Sequence, residues 1–303
     1  MTVGEGASRG RGEHVRGLVV CATGVIVISP DALIIRAVHT DAWTTVCWRG
    51  VFTAVGTFVL LAILAPGQGP RAWRPTASHL FAGALFAAAS VAFVFALHRT
   101  DAASVLVIIA AGPLIASVIG RVFLHEPAPA RTWLTGGAVV AGLAVIFGGS
   151  LGRGEIDGDL LALAGASCFA GYLTVSRAAR PADMTPAIAI GGVGSAIAGL
   201  VAGADLTIGA GDLLLLALLG MVVLPVSLTL ITRATHYLPA PEVNLIALLE
   251  TLLGPLWVWL AIGEDPSPEV FAGGVLVVGA VMVHSALSMR AGLERDANPA
   301  VIV

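Results

Sequence analysis

Apolar residues fall into ten long segments along the chain, each bounded by a short polar or charged stretch. A helix that crosses a bilayer needs about 20 mostly apolar residues, and each segment is close to that length. The pattern therefore predicts ten transmembrane helices and an all-α integral membrane protein. The expected boundaries are 17–37, 43–64, 78–97, 102–122, 132–149, 158–177, 186–203, 211–231, 239–262 and 268–289.

The connections between these segments are short and are marked by proline, glycine or charge, as at 66–70, 126–129, 180–181 and 265–266. None of them is long enough to hold a soluble domain. The activity of the protein is therefore expected to lie between the helices.

Composition supports a membrane protein, because 57% of the residues are hydrophobic and only 12% are charged. A soluble protein carries about 25% charged residues to cover its surface. The basic residues are all arginine and form no basic patch of the kind that nucleic-acid binding requires. The three cysteines lie far apart in apolar segments, which favours buried free thiols over disulfides or a metal site.

Arginine is distributed unequally between the two sets of loops. If the N-terminus is cytoplasmic, twelve arginines lie on the cytoplasmic side, three lie outside, and Arg49 lies within a segment. Because positive residues are retained in the cytoplasm, this bias places both termini there. We expect a multi-pass protein of the bacterial inner membrane, with residues 1–16 and 290–303 as cytoplasmic tails.

An internal repeat links the two halves of the chain. Residues 96–150 align with 234–288 without a gap, and 12 of the 55 positions are identical. Polar and glycine matches carry the most weight in so apolar a chain. These are His98 with His236, Glu126 with Glu264, and Gly136 with Gly274.

A second, weaker match places Arg36 on Arg177. The chain is therefore predicted to contain two five-helix repeats, at 17–150 and 151–289. Because five is an odd number, the second repeat must cross the membrane in the opposite sense. Inverted repeats are typical of secondary transporters, whose substrate site lies near the midplane where the repeats meet.

Four stretches resemble EamA-type members of the drug/metabolite transporter (DMT) superfamily. Residues 107–126 (VIIAAGPLIASVIGRVFLHE) resemble the family's fourth helix, and residues 245–264 (LIALLETLLGPLWVWLAIGE) resemble its ninth. Residues 158–163 (GDLLAL) resemble the opening of its second half, and Trp48 with Arg49 resembles its second-helix arginine. The resemblance covers nearly the whole chain. It implies ten helices, cytoplasmic termini and secondary export of small metabolites, amino acids or drugs.

Two segments carry small residues at intervals of four, which lets helix backbones approach closely in lipid. In the seventh segment these residues run from Ala187 to Gly203, and in the third they run from Ala84 to Ala96. Both faces are predicted to be helix contacts rather than binding surfaces.

Proline lies inside four segments and removes a backbone hydrogen bond from each helix. In lipid the freed carbonyl must be satisfied by a neighbour or by water in a cavity. Pro113 and Pro255 occupy related helices of the two repeats, where either a bend around a cavity or a packing kink would explain them. Pro113 is also a candidate for substrate binding. The other two are Pro30 and Pro225.

The ninth segment carries an ionisable residue, Glu250, about halfway along its length. Glu242, Glu250 and Trp257 share a face of the helix, because steps of eight and seven residues nearly complete whole turns. A charge near the bilayer centre is costly and is normally paired or faces a cavity. We expect Glu250 to bind a substrate ammonium or to carry a coupling proton, with a hydrogen bond to a neighbouring helix as the structural alternative. Asn244 and Trp257 are further candidates for substrate binding.

Asp31 and Arg49 lie at equal depth in the first two segments, which permits an ion pair. Two interpretations are open for this pair. One is a structural tie with Arg36 as a further member, and the other is an external gate or carboxylate anchor. Glu242 is included among the candidates for a gate or ion pair.

Three further residues are singled out by position. Tyr172, in the sixth segment, is a candidate for substrate binding, with a ring at a helix interface as the alternative. Glu126 and Glu264 end repeat-related helices, where loop or cap roles are expected.

The sequence favours a secondary exporter of small polar metabolites, with amino acids as the leading substrates, that works by alternating access. An uptake carrier or facilitator for metabolites or drugs is the alternative. The chain lacks a Walker A pattern, so ATP is not the expected energy source. No cofactor is expected. The expected partners are a small-molecule substrate, the lipid bilayer and a coupling proton, in a monomer or homodimer.

An intramembrane hydrolase is the remote alternative, with Ser167 and His284 as the two members of a catalytic dyad. Around Ser167 the G-x-S-x-G pattern of a nucleophile elbow is incomplete, and the chain has no HExxH motif. The protein is therefore not expected to be an enzyme.

Overall fold

The computed structural model describes residues 3–64, 75–123, 130–179, 182–234, 237–238 and 240–297. Side chains are described within these ranges except at 3–13, 130–132, 240–241, 244 and 288–297. Glu126 and His236, which the repeat alignment singles out, and the side chain of Asn244 therefore lie outside the described residues.

Within the described ranges, all regular secondary structure is helical, and it follows the ten predicted segments. In the part of the chain that the structure describes, nine spans are long and apolar enough to cross a membrane, and the seventh, with 17 residues, is shorter. Three spans are interrupted. The helices are α1 (Val3–Ile28) and α2 (Asp31–Ala37) in the first span, α3 (Ala42–Leu64) in the second, α4 (Ala77–Leu97) in the third, α5 (Ala102–Ile109) and α6 (Gly112–Phe123) in the fourth, α7 (Ala130–Arg153) in the fifth, α8 (Ile156–Ala178) in the sixth, α9 (Thr185–Val201) in the seventh, α10 (Ala210–Ala217) and α11 (Leu224–Ala234) in the eighth, α12 (Ala240–Ile262) in the ninth and α13 (Pro268–Ala297) in the tenth.

Each interruption lies next to a proline. The first span turns at Pro30, and the fourth turns at 110–111, just before Pro113. In the eighth span a π-helical segment at 218–223 joins α10 to α11 and is followed by Pro225. Proline removes the backbone donor that would have continued the regular α-helical pattern.

Pro255 behaves differently, because α12 continues through it without a break. Pro113 and Pro255, which lie in related helices of the two repeats, therefore do not have the same effect on those helices. A bend shared by both helices is not observed.

The two ends of the bundle carry different polar groups and need names. We call the end that carries His14 and Glu242 the N-terminal face, and the end that carries Arg36 and Glu264 the distal face. The first and ninth spans end at the distal face, whereas the fourth and sixth spans begin there. The first span and its repeat counterpart, the sixth, therefore run in opposite directions.

Helix packing follows the same symmetry. The second span packs on the seventh, the fifth on the tenth, and the fourth on the ninth, so that each of these pairs joins related helices. The contact of the third span with the sixth is matched by that of the eighth with the first. Likewise, the fourth span contacts the sixth as the ninth contacts the first. Two inverted five-helix repeats account for this arrangement.

The second and seventh spans approach each other through glycine. A Cβ atom on Gly50 would lie 2.6 Å from the backbone nitrogen of Ala196 and from the carbonyl oxygen of Gly192. A Cβ on Gly199 would lie 2.8 Å from the carbonyl oxygen of Trp43. The helix contact predicted for the small residues of the seventh segment is therefore confirmed at Gly199.

The corresponding prediction for the third segment is only half right. Ala92 and Ala96 are buried, but Ala84 and Ala88 are exposed on the outside of the bundle. A four-residue step overshoots one helical turn by about 40°, so a long series drifts around the helix. Near the start of α4 the close contact falls instead on Gly83, which packs against α9.

The outward surface of the bundle is strongly apolar. Among the described residues, large hydrophobic side chains between 60% and 84% exposed occur on nine of the ten spans. A surface of this kind suits lipid rather than water. These side chains include Phe81, Leu134, Val201, Leu214 and Phe271.

Candidate functional site

A buried ion pair joins the first two spans. Asp31 is the first residue of α2, and Arg49 lies one-third of the way along α3. The Nη2 atom of Arg49 donates a hydrogen bond of 2.8 Å to Oδ2 of Asp31, and both side chains are almost fully buried. Equal depth in the sequence thus corresponds to a direct contact. Arg36 is not part of this pair.

The third span holds the guanidinium of Arg49 from the other side. Its Nη1 atom donates to the hydroxyl oxygen of Ser90 at 2.5 Å, and its Cζ atom lies 5.7 Å from the centre of the Phe93 ring. Two atoms of the pair are left over. Oδ1 of Asp31 and Nε of Arg49 are buried without a hydrogen-bond partner among the described residues.

Glu250 brings a second carboxyl towards this pair from the ninth span. α12 packs on both halves of the first span, and the Glu250 carboxyl lies close enough to Asp31 to interact with it electrostatically. Glu250 is partly buried and makes no hydrogen bond within the described part of the chain. This part of the interior therefore contains two carboxyl groups and one guanidinium.

Trp257 lies on the same face of α12 but has a specific partner at the turn in the first span. Pro30 has no N–H group, so the carbonyl of Ile26 loses its usual helical donor. The hydroxyl of Ser29 donates to that carbonyl at 2.9 Å, and the indole Nε1 of Trp257 donates to the Ser29 oxygen at 2.9 Å. Trp257 thus supports the interrupted helix, and any contact with a substrate is additional to that role.

Glu242 is distant from the ion pair. It lies at the N-terminal face, where its carboxylate is 3.4 Å from Nε2 of His14, an ion pair when the imidazole is protonated. Eight residues separate it from Glu250, about 12 Å along a helix. The structure therefore places Glu242 at one end of the first and ninth spans and leaves its predicted gating role open.

Tyr172 is buried in an aromatic cluster between the third and sixth spans. Its ring centre lies 5.4 Å from that of Phe86 and 5.6 Å from that of Phe169. Phe86 lies one helical turn before Ser90 on α4, and Tyr172 packs on the far side of Phe86. This geometry fits the helix-interface interpretation, and a part in substrate binding stays a prediction.

Pro113 begins the second half of the fourth span and lies beside an open cleft between α6 and α7. The cleft has a volume of about 310 Å³ and an almost wholly apolar lining that includes Leu114, Ser117 and Trp133. Because Trp133 and its neighbours on α7 are exposed, the cleft opens on the outer surface of the bundle. The structure does not bring Pro113 together with the ion pair.

Ser90 is the member of the site that sequence reasoning missed. It is the one polar side chain between His79 and His98, and a hydroxyl alone in such an apolar run was the available signal. Its contact with Arg49 depends on how α4 is rotated, which the small-residue pattern misjudged.

The residues considered for other chemistries have separate partners. Ser167 donates to the carbonyl of Leu163, and His284 contacts the hydroxyl of Thr135. Among the described residues, no three His, Cys, Asp or Glu side chains form a group that could hold a metal ion. All three cysteines are free, with Cys168 only partly buried.

Comparison with known proteins connects this geometry to a family. The chain matches the model of the EamA-like transporter family twice, over residues 15–148 and 156–286. Among the solved structures similar to it, one described only as "Crystal structure of protein" has a TM-score of 0.64 and 16% sequence identity, and the match covers 90% of this chain and 98% of that chain. At this identity the likeness shows the fold alone. No curated protein gives a significant match.

Two family matches in succession agree with the two inverted repeats and with the membrane-length helices of the structure. The chain belongs to the EamA-like transporter family of the DMT superfamily, and it is a multi-pass membrane transporter of that kind.

Proposed function

We propose that the protein is a secondary-active exporter of small polar metabolites, foremost amino acids, and that it works by alternating access. In this proposal the solute site lies around Asp31, Arg49 and Glu250, between the first, second and ninth spans. The N-terminal face lies in the cytoplasm of a bacterium, and the protein acts in the inner membrane as a monomer or homodimer.

The buried Asp31–Arg49 pair, with the Glu250 carboxyl within electrostatic range of Asp31, is the observation that carries the proposal. Charged groups inside a membrane are costly, and replacing a buried ion pair by apolar residues is often neutral or stabilising. Structural need therefore gives little reason to retain three ionisable groups in the interior. A polar ligand gives a better one.

The unpaired atoms favour a zwitterion as that ligand. Oδ1 of Asp31 and the Glu250 carboxyl can accept hydrogen bonds from a substrate ammonium, and Nε of Arg49 can donate to a substrate carboxylate. A dianion would meet a single guanidinium whose charge Asp31 already balances. Amino acids therefore fit this set better than dicarboxylates or phosphates.

The other candidates would complete the site. Trp257, bound to Ser29 next to the turn before Asp31, offers aromatic surface near the ion pair. In this proposal Tyr172, Asn244 and Pro113 would line the cavity in one of its open states. Their contributions to binding stay predictions.

Glu250 is also the proposed proton carrier. A carboxyl near Asp31, without a described hydrogen-bond partner, is stabilised either by a proton or by a bound ammonium group. If the two compete for the same carboxyl, a proton entering from one side replaces the solute leaving on that side. This exchange would couple export to a pH gradient.

Flux into proteoliposomes tests the proposal. A panel of neutral, acidic and basic amino acids and nucleosides is measured with and without an imposed pH gradient. We expect gradient-dependent flux of neutral amino acids, and a loss of about tenfold or more in Glu250→Gln, as for a group that binds the transported species. Glu155→Gln, which changes a carboxyl of the distal loop, is the matched control and should retain flux.

Other outcomes of this experiment are equally informative. Flux that ignores the pH gradient would identify a facilitator, the alternative function. Undiminished flux in Glu250→Gln would remove that carboxyl from the site, and failure of every amino acid to cross would overturn the substrate assignment.

A further inference from the structure

An ion pair joins the ends of the first and ninth spans at the distal face. Nη2 of Arg36, in the last turn of α2, lies 3.1 Å from Oε1 of Glu264, which follows α12. Each side chain is 24% exposed. An exposed ion pair alone contributes little to the free energy of unfolding. The importance of Arg36 and Glu264 therefore depends on the other groups that they bind.

Glu264 also binds the start of the fourth span. Its Oε1 atom accepts a hydrogen bond of 2.7 Å from the backbone nitrogen of Ala102, the first residue of α5. The first N–H groups of a helix have no partner within the helix, and a carboxylate satisfies one of them. The cap role predicted for Glu264 is thus observed, on a helix of the other repeat.

Arg36 binds the same turn through the backbone carbonyl group of Thr100. Its Nη2 atom donates to the backbone oxygen of Thr100 at 2.6 Å. Arg36 and Glu264 therefore bind each other and also bind both sides of the turn that precedes α5. We call this set, Arg36, Glu264, Thr100 and Ala102, the distal joint.

The sixth span is attached to the distal joint from within. The hydroxyl of Thr100 donates to Oδ1 of Asp159 at 3.0 Å, and the hydroxyl of Ser104 donates to the same atom at 2.7 Å. Asp159 is fully buried, and a Cβ on Gly158 would lie 2.7 Å from that of Thr100. The start of α8 is therefore pressed directly against the turn.

The four spans that meet here are two from each repeat. The first and fourth belong to one repeat, and their counterparts, the sixth and ninth, belong to the other. Arg36 lies only five residues beyond Asp31 on α2, about 8 Å along the helix. A solute leaving the ion-pair region towards the distal face between the first and ninth spans would meet the distal joint.

A second charged cluster lies nearby but is more open. Arg153 contacts Asp101 at 3.7 Å, Glu155 at 2.7 Å and Glu269 at 3.4 Å. Burial raises the pKa of Asp101 in spite of its hydrogen bond from the Ser104 backbone, and nearby carboxylates raise it further. The closest contact, from Arg153 to Glu155, lies within one loop and joins no separate spans.

We propose that the distal joint is the gate that closes the solute site towards the distal face, and that it opens by separation of Arg36 and Glu264 from each other and from the 100–102 turn. The inference rests on the proposed alternating access. It names the residues that form one of the two barriers between the solute site and the two sides of the membrane. It also assigns the structure to the conformation in which the distal side is closed.

Thiol accessibility tests the gate without any substrate. Ser90→Cys, in a chain with its three cysteines replaced by alanine, reports access to the ion-pair region from a membrane-impermeant maleimide applied at the distal face. We expect Glu264→Gln and Arg36→Gln to raise the labelling rate about tenfold or more, because each favours the open population. Glu155→Gln is the matched control and should label at the parental rate.

A cross-link tests the same joint in the opposite direction. In the cysteine-free chain, Arg36→Cys with Glu264→Cys is joined by a short, cleavable bifunctional thiol reagent. We expect flux to stop and to return on cleavage, while each single cysteine variant is unaffected by the reagent. This measurement stays decisive if the glutamine variants fold poorly.

The two proposals can fail separately. Labelling at the parental rate in both glutamine variants, or full flux through the cross-linked chain, would overturn the gate and leave the transported solute untouched. A chain that carries no solute but shows the labelling increase would retain the gate and overturn the proposed function.

Discussion

Arg49 is the residue whose surroundings are most sensitive to change. Its guanidinium is buried. It donates one hydrogen bond to Asp31 and another to Ser90, and it lies over the ring of Phe93. A charge in such a place is tolerated because its partners are in position. Removing one partner leaves an uncompensated charge, which is more damaging than removing both.

Single and double replacements of the ion pair should therefore be strongly non-additive. Asp31→Ala or Arg49→Ala should each lower stability by about 3–5 kcal/mol, because the remaining charge stays buried. The double variant should lose less than either single one. Thermal unfolding of the purified protein in detergent measures this, with yield from membranes as a second readout.

The exposed pair of Arg99 and Asp157, 3.9 Å apart at the distal face, is the control for this cycle. Its single and double replacements should change stability little and additively. Additive losses at Asp31 and Arg49 would contradict the coupling that their contact implies.

Ser29 is the second residue with a definite physical task. Its hydroxyl supplies the donor that Pro30 lacks, and it accepts the indole N–H of Trp257. Ser29→Ala should lower stability by about 1–3 kcal/mol, because it leaves buried polar groups without partners. Thermal unfolding is again the measurement.

A backbone donor should rescue this variant. Pro30→Ala restores an N–H group that can reach the Ile26 carbonyl, so Ser29→Ala should cost less in that background than in the parent. Thr23→Ala, which removes an exposed hydroxyl bonded within its own helix, should have little effect. An equal loss with and without Pro30 would show that Ser29 acts in another way.

Sequence reasoning reached part of this residue-level picture. Equal depth was enough to pair Asp31 with Arg49, because two neighbouring antiparallel spans bring equal depths together. Ser90 was missed because its contact depends on helix rotation. The bond from Trp257 to Ser29 could not be predicted, because the sequence does not show which donor meets which acceptor, and the part of Trp257 in substrate binding stays a prediction.

At the scale of elements, the packing of α3 on α9 depends on glycine, which has no side chain and lets the two backbones come into contact. Gly50 faces the backbone of Gly192 and Ala196, atoms that cannot move aside as a flexible side chain would. Other glycines, such as Gly148 on α7, lie against open space, because a Cβ added there would meet no atom within 4 Å. The same residue type therefore has opposite consequences on two spans.

Gly50→Ala should lower stability by about 1–3 kcal/mol, since the added methyl group would separate two tightly packed helices. Gly148→Ala should be neutral or slightly stabilising, since alanine is the better helix former and the space is free. Thermal unfolding of the two variants side by side tests this, and equal effects would contradict the close approach.

Element positions were largely predictable, because apolar length alone defines a span. The interruptions were not. Proline is the residue expected to break a helix, yet α12 continues through Pro255 while the fourth span turns before Pro113. The π-helical segment at 218–223 has no simple signature in the sequence.

At the scale of the whole molecule, the inverted repeat organises both fold and proposed mechanism. Related spans pack on one another, and the distal face joins two spans from each repeat. This architecture was predictable from a modest repeat signal, because five helices per copy force the second copy to be inverted. Which polar groups would meet at the distal face was not, since it depends on loop geometry.

Reporter fusions at the two ends of the chain test the predicted orientation. A fluorescent or enzymatic tag at residue 1 and another at residue 303 should both report the cytoplasm, because ten spans return the chain to its starting side. A tag inserted at 38–41 should report the opposite side. Ends on opposite sides of the bilayer would rule out an even number of spans and the inverted repeat with it.

The shortness of α9 has a consequence for the surrounding membrane. Its 17 residues span about 26 Å, less than the roughly 30 Å of hydrocarbon in an average bilayer. Several of its large side chains face outward, so this deficit is presented to lipid. The bilayer must thin locally or the helix ends must be drawn into the acyl region, at a cost that grows with each ångström of mismatch. The free-energy cost of placing this protein in a membrane therefore depends on the length of the lipid acyl chains.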